Sequence, residues 1–200
     1  MWWKDIWISF IPSSPCSVEG SVLSLGNSVY RSYGYEDLSD YSTRVRNYGL
    51  AHAFDGAANI VDASELIIPV NEVGEYSFMY TFKGCTGLTN PPKLSSMELN
   101  SGCYVGMFEG CTSLTTAPQL PAISIPSFAY YEMFKGCTNL NRIKAMFTTT
   151  PSASLYISNT VNWVEDVSST GTFVKNSAAT WNVTGNNGVP NGWTIETSNS

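Results

Sequence analysis

The chain has 200 residues, of which 43% are apolar and 13% aromatic, enough for one domain with a substantial hydrophobic core. Only 13% of the residues are charged and the net charge is −6, whereas about 25% is usual in globular proteins. Without clustered Lys and Arg, this composition argues against a nucleic-acid partner, and no apolar run reaches the roughly 18 residues of a membrane span. A surface of Ser, Thr, Asn and Gly is common in secreted and surface-displayed proteins.

The first 50 residues are predicted to form an N-terminal strand and cap region. Met1–Pro12 resembles a signal peptide only loosely, because an aspartate and three tryptophans interrupt its apolar stretch. We therefore interpret it as an edge strand or cap that shields the first coil, or as a leader that has been replaced or lost. Lipid acylation at Cys16 is a further alternative. Ser17–Leu25 alternates apolar and small residues and predicts a strand. We expect a turn at 26–28 to follow. After it, Tyr30–Tyr48 should cover the first coil, either as a partly helical segment or as a long loop.

One short unit recurs along the middle of the chain. It reads MFEGCTSL at Met107–Leu114, MFKGCTNL at Met133–Leu140, TFKGCTGL at Thr81–Leu88 and, in a worn copy, AFDGAANI at Ala53–Ile60. The phenylalanines at 82, 108 and 134 are 26 residues apart. A fixed period of this size predicts stacked coils. We place about four coils in residues 51–147.

Each repeat predicts a turn, a glycine and an extended run. In the segment before Phe134, the spacing of one, three and four predicts one face of a short helix or 3₁₀ turn, formed by Ala129, Tyr130, Met133 and Phe134. Glycine then allows the positive φ at which this turn ends. The extended runs that follow, such as Leu88–Leu94 and Leu114–Leu120, should stack as a parallel ribbon. Pro92 and Pro118 keep these strands short because proline donates no hydrogen bond.

The residues shared by the copies define a predicted repeat core. Its members are Phe82, Phe108, Phe134, Cys85, Cys111, Cys137, Leu88, Leu114 and Leu140. Five cysteines cannot all pair within one chain, and the side chains of a ladder point the same way. We therefore interpret the repeat cysteines as buried free thiols acting as small apolar residues. No second ligand pair for a metal accompanies them.

Residues 148–200 are predicted to be a C-terminal cap. The end of a stack is an exposed apolar surface with unpaired strands. Trp163, Trp181 and Trp193 are large enough to cover it, and the Asn186-Asn187-Gly188 sequence indicates a tight turn.

The repeat unit, most completely Met107–Leu120, resembles the BspA-like leucine-rich repeats of bacterial surface proteins. The closing pattern from Gly171 to Thr194 is similar to the C-terminal end of many such proteins of gut anaerobes. The resemblance covers about residues 50–196. It implies an α/β repeat fold: a short right-handed leucine-rich-repeat-like solenoid with a parallel β-sheet on one face, helical or 3₁₀ turns on the other, and irregular caps. It also implies binding and adhesion at the cell surface or on a phage particle, without catalysis.

No catalytic or cofactor site is predicted. His52, with Asp55 nearby, lacks the Gly-x-Ser-x-Gly elbow of a hydrolase triad, and we expect a capping or surface histidine. Glu165 and Asp166 are adjacent and should diverge at a solvated turn rather than act as acid and base. The other carboxylates match no calcium loop, and no phosphate-binding glycine loop is present. We expect no enzyme activity, cofactor or metal.

The outward face of the ribbon is the predicted ligand-binding surface. If the repeat leucines point inward, Thr89, Thr115 and Asn141 point outward, and Pro91, Ala117 and Ile143 follow two residues further along. Tyr104, Tyr130 and Tyr131 could stack on a sugar or a protein loop, with a place in the core as the alternative.

Two functions follow from these observations. The first is a non-enzymatic, surface-exposed adhesion module that binds protein or glycan ligands of a host or of other bacteria. The alternative is a self-assembling structural protein that decorates a phage or a cell envelope. Neither prediction involves nucleic acid or a membrane span.

Overall fold

The computed structural model describes residues 12–21, 44–45, 47–68, 72–154 and 158–199. These residues contain no helix. Their strands are β1 (Cys16–Ser17), β2 (Gly20–Ser21), β3 (Arg44–Val45), β4 (Ile60–Asp62), β5 (Leu66–Ile67), β6 (Glu72–Val73), β7 (Arg142–Ala145), β8 (Thr172–Asn176) and β9 (Thr194–Ser198). Three predictions lie outside the described residues. They are the interpretation of Met1–Pro12, except for Pro12 itself, the turn at 26–28, and most of the cover over Tyr30–Tyr48.

All described strand pairs are parallel, which confirms that part of the predicted fold. β1 pairs with β4, β2 with β5 and β3 with β6, while β7, β8 and β9 form one three-stranded sheet. Isolated parallel bridges continue the pairing between the copies, from Asp62 to Asn90 and from Thr116 to Arg142. The strand predicted over Ser17–Leu25 is replaced, in its described part, by the two-residue strands β1 and β2, separated by Val18 and Glu19.

The strands are short where proline occurs and longer where it does not. In the copies that carry Pro92 and Pro118, the extended run makes only isolated bridges. After the copy at Met133–Leu140, Lys144 takes the place of that proline, and the four-residue strand β7 forms. Proline removes the backbone donor that a ladder needs, so the difference between the copies follows from one residue position.

The prediction of short helical or 3₁₀ turns before each phenylalanine is wrong for the described residues. Residues 47–56, 75–84, 101–110, 127–136 and 159–166 form chains of turns instead, which we call the turn segments. In the third segment the N–H groups of Gly106, Phe108 and Gly110 donate to carbonyls of the next segment, over 2.8–2.9 Å. The N–H groups between them donate three residues back, as from Met107 to Tyr104. Half of the donors therefore connect successive copies, which a helix does not permit.

The turn segments have a positive φ at every fourth residue. This backbone conformation orients the alternate N–H groups toward the next copy. In the segment 127–136 the positions are Phe128, Glu132 and Gly136, with φ of 60°, 51° and 73°. The predicted glycines Gly84 and Gly110 also have positive φ, of 68° and 73°. Each glycine thus supplies the backbone conformation expected of it, but within a repeating turn rather than at a helix end.

The interior is filled by columns of like residues, one from each copy. Every member of the predicted repeat core is fully buried. The rings of Phe82 and Phe108 stack at 5.7 Å, as do those of Phe108 and Phe134. A second column joins Tyr104 to Tyr130 at 6.2 Å and continues to Trp163 at 6.1 Å. No copy can bury its apolar face alone, so neighbouring copies stabilise one another.

The C-terminal residues pack on the last copy of the repeat. Trp163 is fully buried, and Trp181 and Trp193 are 4% and 7% exposed. Phe147 stacks on Trp181 at 5.3 Å, and one hydrophobic cluster extends without interruption from Val45 to Trp193. In the described part of the chain, nothing in helical conformation has the length and apolarity of a transmembrane span.

Candidate functional site

The predicted outward residues lie in a row along one edge of the repeats. Thr89, Thr115 and Asn141 are all exposed. The N–H group of Asn141 donates to the carbonyl of Thr115 over 2.9 Å, and that of Thr89 donates to the carbonyl of Val61 over 3.0 Å. These bonds align equivalent positions of successive copies, so the side chains repeat at the spacing of the strands.

Two residues predicted to extend this face point the other way. Ile143 is fully buried and Ala117 is 7% exposed, while Pro91 is half-buried. The prediction counted alternation from the repeat leucine, but that leucine still belongs to a turn, since Leu114 N–H donates to the carbonyl of Cys111. Strand pairing begins two residues later, at Thr116. The alternation is therefore displaced by one residue, which turns Ala117 and Ile143 inward.

The displaced alternation exposes a second row that the sequence reasoning missed. Parallel bridges or strand pairs connect its members in the order Asp62–Asn90 and Thr116–Arg142–Thr172–Thr194. Every member is polar, and Asn90, Thr116, Arg142 and Thr194 are exposed. The signal was present in the sequence, because the second residue after the repeat leucine is polar in each copy: Asn90, Thr116 and Arg142.

The exposed side chains of the two rows together form the candidate binding surface, which we call the polar ridge. It consists of Thr89, Asn90, Thr115, Thr116, Asn141, Arg142 and Thr194. Hydroxyl and amide groups predominate on it, and its single charge, Arg142, lies 3.9 Å from Glu196 with both side chains about half exposed. An ion pair as exposed as this one contributes little to the stability of the fold. The ridge can therefore offer hydrogen bonds to a ligand but little net charge.

One half-buried carboxylate of the second row lies beside the N-terminal end of the ridge and is stabilised in its ionised form. Asp62 accepts hydrogen bonds from the Ser64 backbone N–H at 2.8 Å and from the Asn90 amide at 2.9 Å. The bonds from Ser64 and Asn90 lower the pKa of Asp62. Asp62 thus orients the Asn90 amide and remains a hydrogen-bond acceptor.

The turn segments carry ion pairs that connect successive copies. Lys83 lies 3.0 Å from Glu109 in the next copy and 4.5 Å from the centre of the Tyr80 ring. Burial favours the neutral amine, but the hydrogen bond and charge of Glu109 outweigh it and raise the pKa of Lys83. Lys135 donates to Glu132 at 2.9 Å and lies 3.1 Å from Glu165.

Most of the candidate catalytic groups weighed in the sequence take part in structural contacts. His52 lies 2.7 Å from Asp55 and its ring is 5.2 Å from that of Tyr80. Glu165 pairs with Lys135, while Asp166 is exposed and has a φ of 58°. The adjacent carboxylates thus have different surroundings, and the arrangement provides no acid and base facing one substrate.

The environment of the four cysteines in the interior disfavours ionisation of their thiols. Cys85, Cys111, Cys137 and Cys103 are free and fully buried, and Cys16 is half-buried. Burial raises the pKa of Cys85 and Cys137 to about 12 and that of Cys111 and Cys103 above the ordinary value. A thiol must ionise to act as a nucleophile or a metal ligand. Within the described ranges, no cluster of His, Cys, Asp and Glu could hold a metal ion.

The aromatic residues considered for ligand stacking divide into two kinds. Tyr104 and Tyr130 are each 1% exposed and belong to the core columns. Tyr131 is half-exposed and packs against Phe128 with ring centres 6.1 Å apart. Only Tyr131 of the three could contact a ligand.

Comparison with known proteins does not assign this chain to a family or a function. Neither a protein-family model, nor a curated protein, nor a solved structure matches this chain. The interpretation of the site therefore depends on its geometry and chemistry.

Proposed function

We propose that this chain is a non-enzymatic binding module that recognises protein or glycan ligands through the polar ridge. One observation carries the proposal: exposed hydroxyl and amide side chains recur at the same place in successive copies, as at Thr89 and Thr115. A row repeated at the strand spacing suits an extended ligand that forms many similar hydrogen bonds. Repeat proteins commonly use such extended surfaces for binding.

The low charge of the ridge favours a ligand that is itself uncharged. Hydrogen bonds between neutral groups depend little on ionic strength, whereas contacts between exposed charges weaken in salt. Neutral polysaccharides and uncharged peptide segments both match this chemistry. Surface display of such a module, on a cell or on a phage particle, belongs to the same proposal.

The finer fold assignment is also a proposal. A right-handed solenoid of BspA-like leucine-rich repeats is supported by the repeat sequence, by the columns of Phe, Cys and Leu, and by the parallel pairing between copies. The turn segments would take the place that short helices have in the expected architecture. This assignment predicts that the repeats form one elongated body with the ridge along its length.

An array of glycans and surface proteins tests the binding proposal. The double variant Thr115→Arg, Asn141→Arg fills the ridge with bulky charges, while Ser95→Arg, Asn182→Arg makes the same chemical change at exposed positions outside it. We expect saturable, salt-tolerant binding that the first variant weakens at least about tenfold and the control leaves unchanged. Absence of any binding partner, or equal binding by the two variants, contradicts the proposal. Thermal unfolding must show that both variants fold.

A self-assembling structural role is the second candidate, favoured by the edge strand β9. β9 pairs only with β8 among the described strands, and four of its five residues, beginning with Thr194, are exposed. An unpaired strand edge can accept another strand. Light scattering over a concentration series distinguishes this role: assembly that Ile195→Pro abolishes supports it, since proline removes a backbone donor, and a monomer at all concentrations contradicts it.

A further inference from the structure

The C-terminal region contains two Asn-Gly sequences in very different environments. They are Asn187-Gly188 and Asn191-Gly192. Asparagine followed by glycine is chemically labile, because glycine has no side chain to shield its backbone nitrogen from the asparagine amide. Which of the two sites reacts is then decided by the folded structure.

At Asn187-Gly188 both reacting groups are held in place. The Asn187 side-chain oxygen accepts a hydrogen bond from the Asn162 backbone N–H at 2.7 Å. The nitrogen of Gly188 donates to the carbonyl of Gly185 at 3.0 Å, and Gly188 is buried. Attack by this nitrogen would require both hydrogen bonds to break and the segment to open.

The carbonyls of the same dipeptide hold it to the core. The Asn187 carbonyl accepts from the Thr160 hydroxyl at 2.9 Å, and the Gly188 carbonyl accepts from the Trp163 indole at 3.0 Å. Trp163 is fully buried. Local opening at Asn187 therefore costs contacts with the interior, and such opening is rare in well-packed regions.

Asn191-Gly192 lacks these constraints. Both residues are exposed, and in the described part of the chain no hydrogen bond engages the Asn191 amide or the Gly192 nitrogen. Gly192 has a φ of 83°, a conformation that glycine adopts easily. The electrophile and the nucleophile thus lie in exposed residues, and the backbone bond that closes the turn around them, from the Trp193 N–H to the Pro190 carbonyl at 3.3 Å, involves neither group.

We propose that Asn191 is a site of spontaneous deamidation, and that Asn187 is protected by the fold. The Gly192 nitrogen loses its proton to solvent and forms a bond to the Asn191 side-chain carbon, and the amide nitrogen leaves as ammonia. A five-membered succinimide results. Water then opens this ring at either carbonyl, which gives aspartate or isoaspartate. The net reaction consumes one water, releases one ammonia and needs no oxidant or enzyme.

The modification changes a neutral position next to the C-terminal strand. A new carboxylate appears two residues before Trp193, whose indole donates to the Ser168 carbonyl at 2.7 Å. Isoaspartate would also add one atom to the backbone just before Trp193 and β9. The protein would therefore exist in an unmodified form and in two aged forms. Both aged forms carry the new negative charge, and the isoaspartate form also has the longer backbone.

Peptide mapping by mass spectrometry tests this proposal on the full chain. The folded protein and the protein unfolded in denaturant are incubated in parallel in warm, mildly alkaline buffer, and enzymatic methylation identifies isoaspartate. We expect Asn191 to convert at least about tenfold faster than Asn187 in the folded protein, and the two residues to convert at comparable rates when unfolded. The variant Asn191→Gln should remove the fast reaction, because glutamine would have to form a larger ring.

Two outcomes would overturn the proposal. In the first, Asn187 and Asn191 convert equally fast in the folded protein, so that the fold protects neither. In the second, Asn191 remains an amide in the folded protein while both residues convert in the unfolded one, so that the fold protects both. Each outcome is a direct comparison of two peptides within one sample.

Discussion

The sulfur of Cys111 donates a hydrogen bond to the carbonyl oxygen of Phe82 in the preceding copy, over 3.1 Å. Cys137 donates in the same way to Phe108 at 3.0 Å, and Cys85 to Phe54 at 3.1 Å. The repeat cysteines are thus more than small apolar residues. Each thiol connects its copy to the one before it.

Replacement of Cys111 by alanine should lower the free energy of unfolding by about 1–2 kcal/mol, because it removes a weak hydrogen bond and the buried sulfur. The Phe82 carbonyl keeps its bond from the Cys85 N–H, so no acceptor is left unpaired. Denaturant unfolding measures the change. The half-buried Cys16 provides the matched control, since Cys16→Ala should cost less. An equal effect at the two positions would contradict the structural role of the Cys111 thiol.

The buried thiols should make the protein sensitive to alkali. Burial raises the pKa of Cys85 and Cys137 from the ordinary 9.0 to about 12. Above about pH 9 the unfolded chain loses these protons while the folded chain keeps them, so the free energy of unfolding falls as the pH rises from about 9 to about 12. Below about pH 9 both states are protonated and this contribution is constant.

Denaturant unfolding at a series of pH values measures this dependence. The variant Cys85→Ala, Cys137→Ala should show a shallower decline than the unmodified protein above about pH 9, because two of the titrating groups are absent. Lysines and tyrosines titrate in both proteins and cancel in the comparison. Identical slopes would show that these thiols titrate alike in the folded and unfolded states.

Leu114 and Thr115 are adjacent in sequence and opposite in environment. Leu114 is fully buried and Thr115 is exposed. Leu114→Ala should lower the free energy of unfolding by about 2–5 kcal/mol, because it leaves a cavity in the middle of the leucine column. Thr115→Ala should change it by less than about 0.5 kcal/mol. Chemical denaturation of both variants tests the inward and outward assignments, and a large loss at Thr115 would contradict them.

Periodicity in the sequence identified the buried positions of the turn segment before Phe134. Ala129, Tyr130, Met133 and Phe134 were predicted to share one face, and all four are buried. The same pattern failed to identify the backbone, because a chain of turns with a four-residue period buries the same positions as a short helix. The distinguishing feature is the positive φ at non-glycine residues such as Glu132, which residue type does not indicate.

The sequence predicted only one of the two rows of the polar ridge, because it does not show where the turn ends and the strand begins. Thr89, Thr115 and Asn141 could be assigned because they follow the repeat leucine directly. Ala117 and Ile143 were misassigned because the point at which turn changes to strand fixes the alternation, and that point depends on hydrogen bonds between copies. A displacement of one residue reverses every later side chain. An apolar residue at 117 and 143, in contrast with the polar Thr116 and Arg142, is the local signal for the correct assignment.

Gly106 makes room for an aromatic ring of the preceding copy. A Cβ atom at this position would lie 2.2 Å from Cε1 of Tyr80. Glu132 has a φ of 51° at the equivalent position of the next copy, close to the 53° of Gly106, so the backbone conformation alone does not require glycine. The requirement at Gly106 comes from the Tyr80 ring.

Gly106→Ala should therefore lower the free energy of unfolding by about 1–2 kcal/mol, because the half-buried Tyr80 ring must shift to make room for the added methyl group. In the Tyr80→Ala background the same substitution should cost clearly less, since the clash is gone. A double-mutant cycle by denaturant unfolding measures this coupling, which we expect to be about 0.5–1.5 kcal/mol. Additive effects of the two substitutions would mean that the ring does not determine the choice of glycine at 106. The contact between Tyr80 and Gly106 would then be incidental to the packing of successive copies.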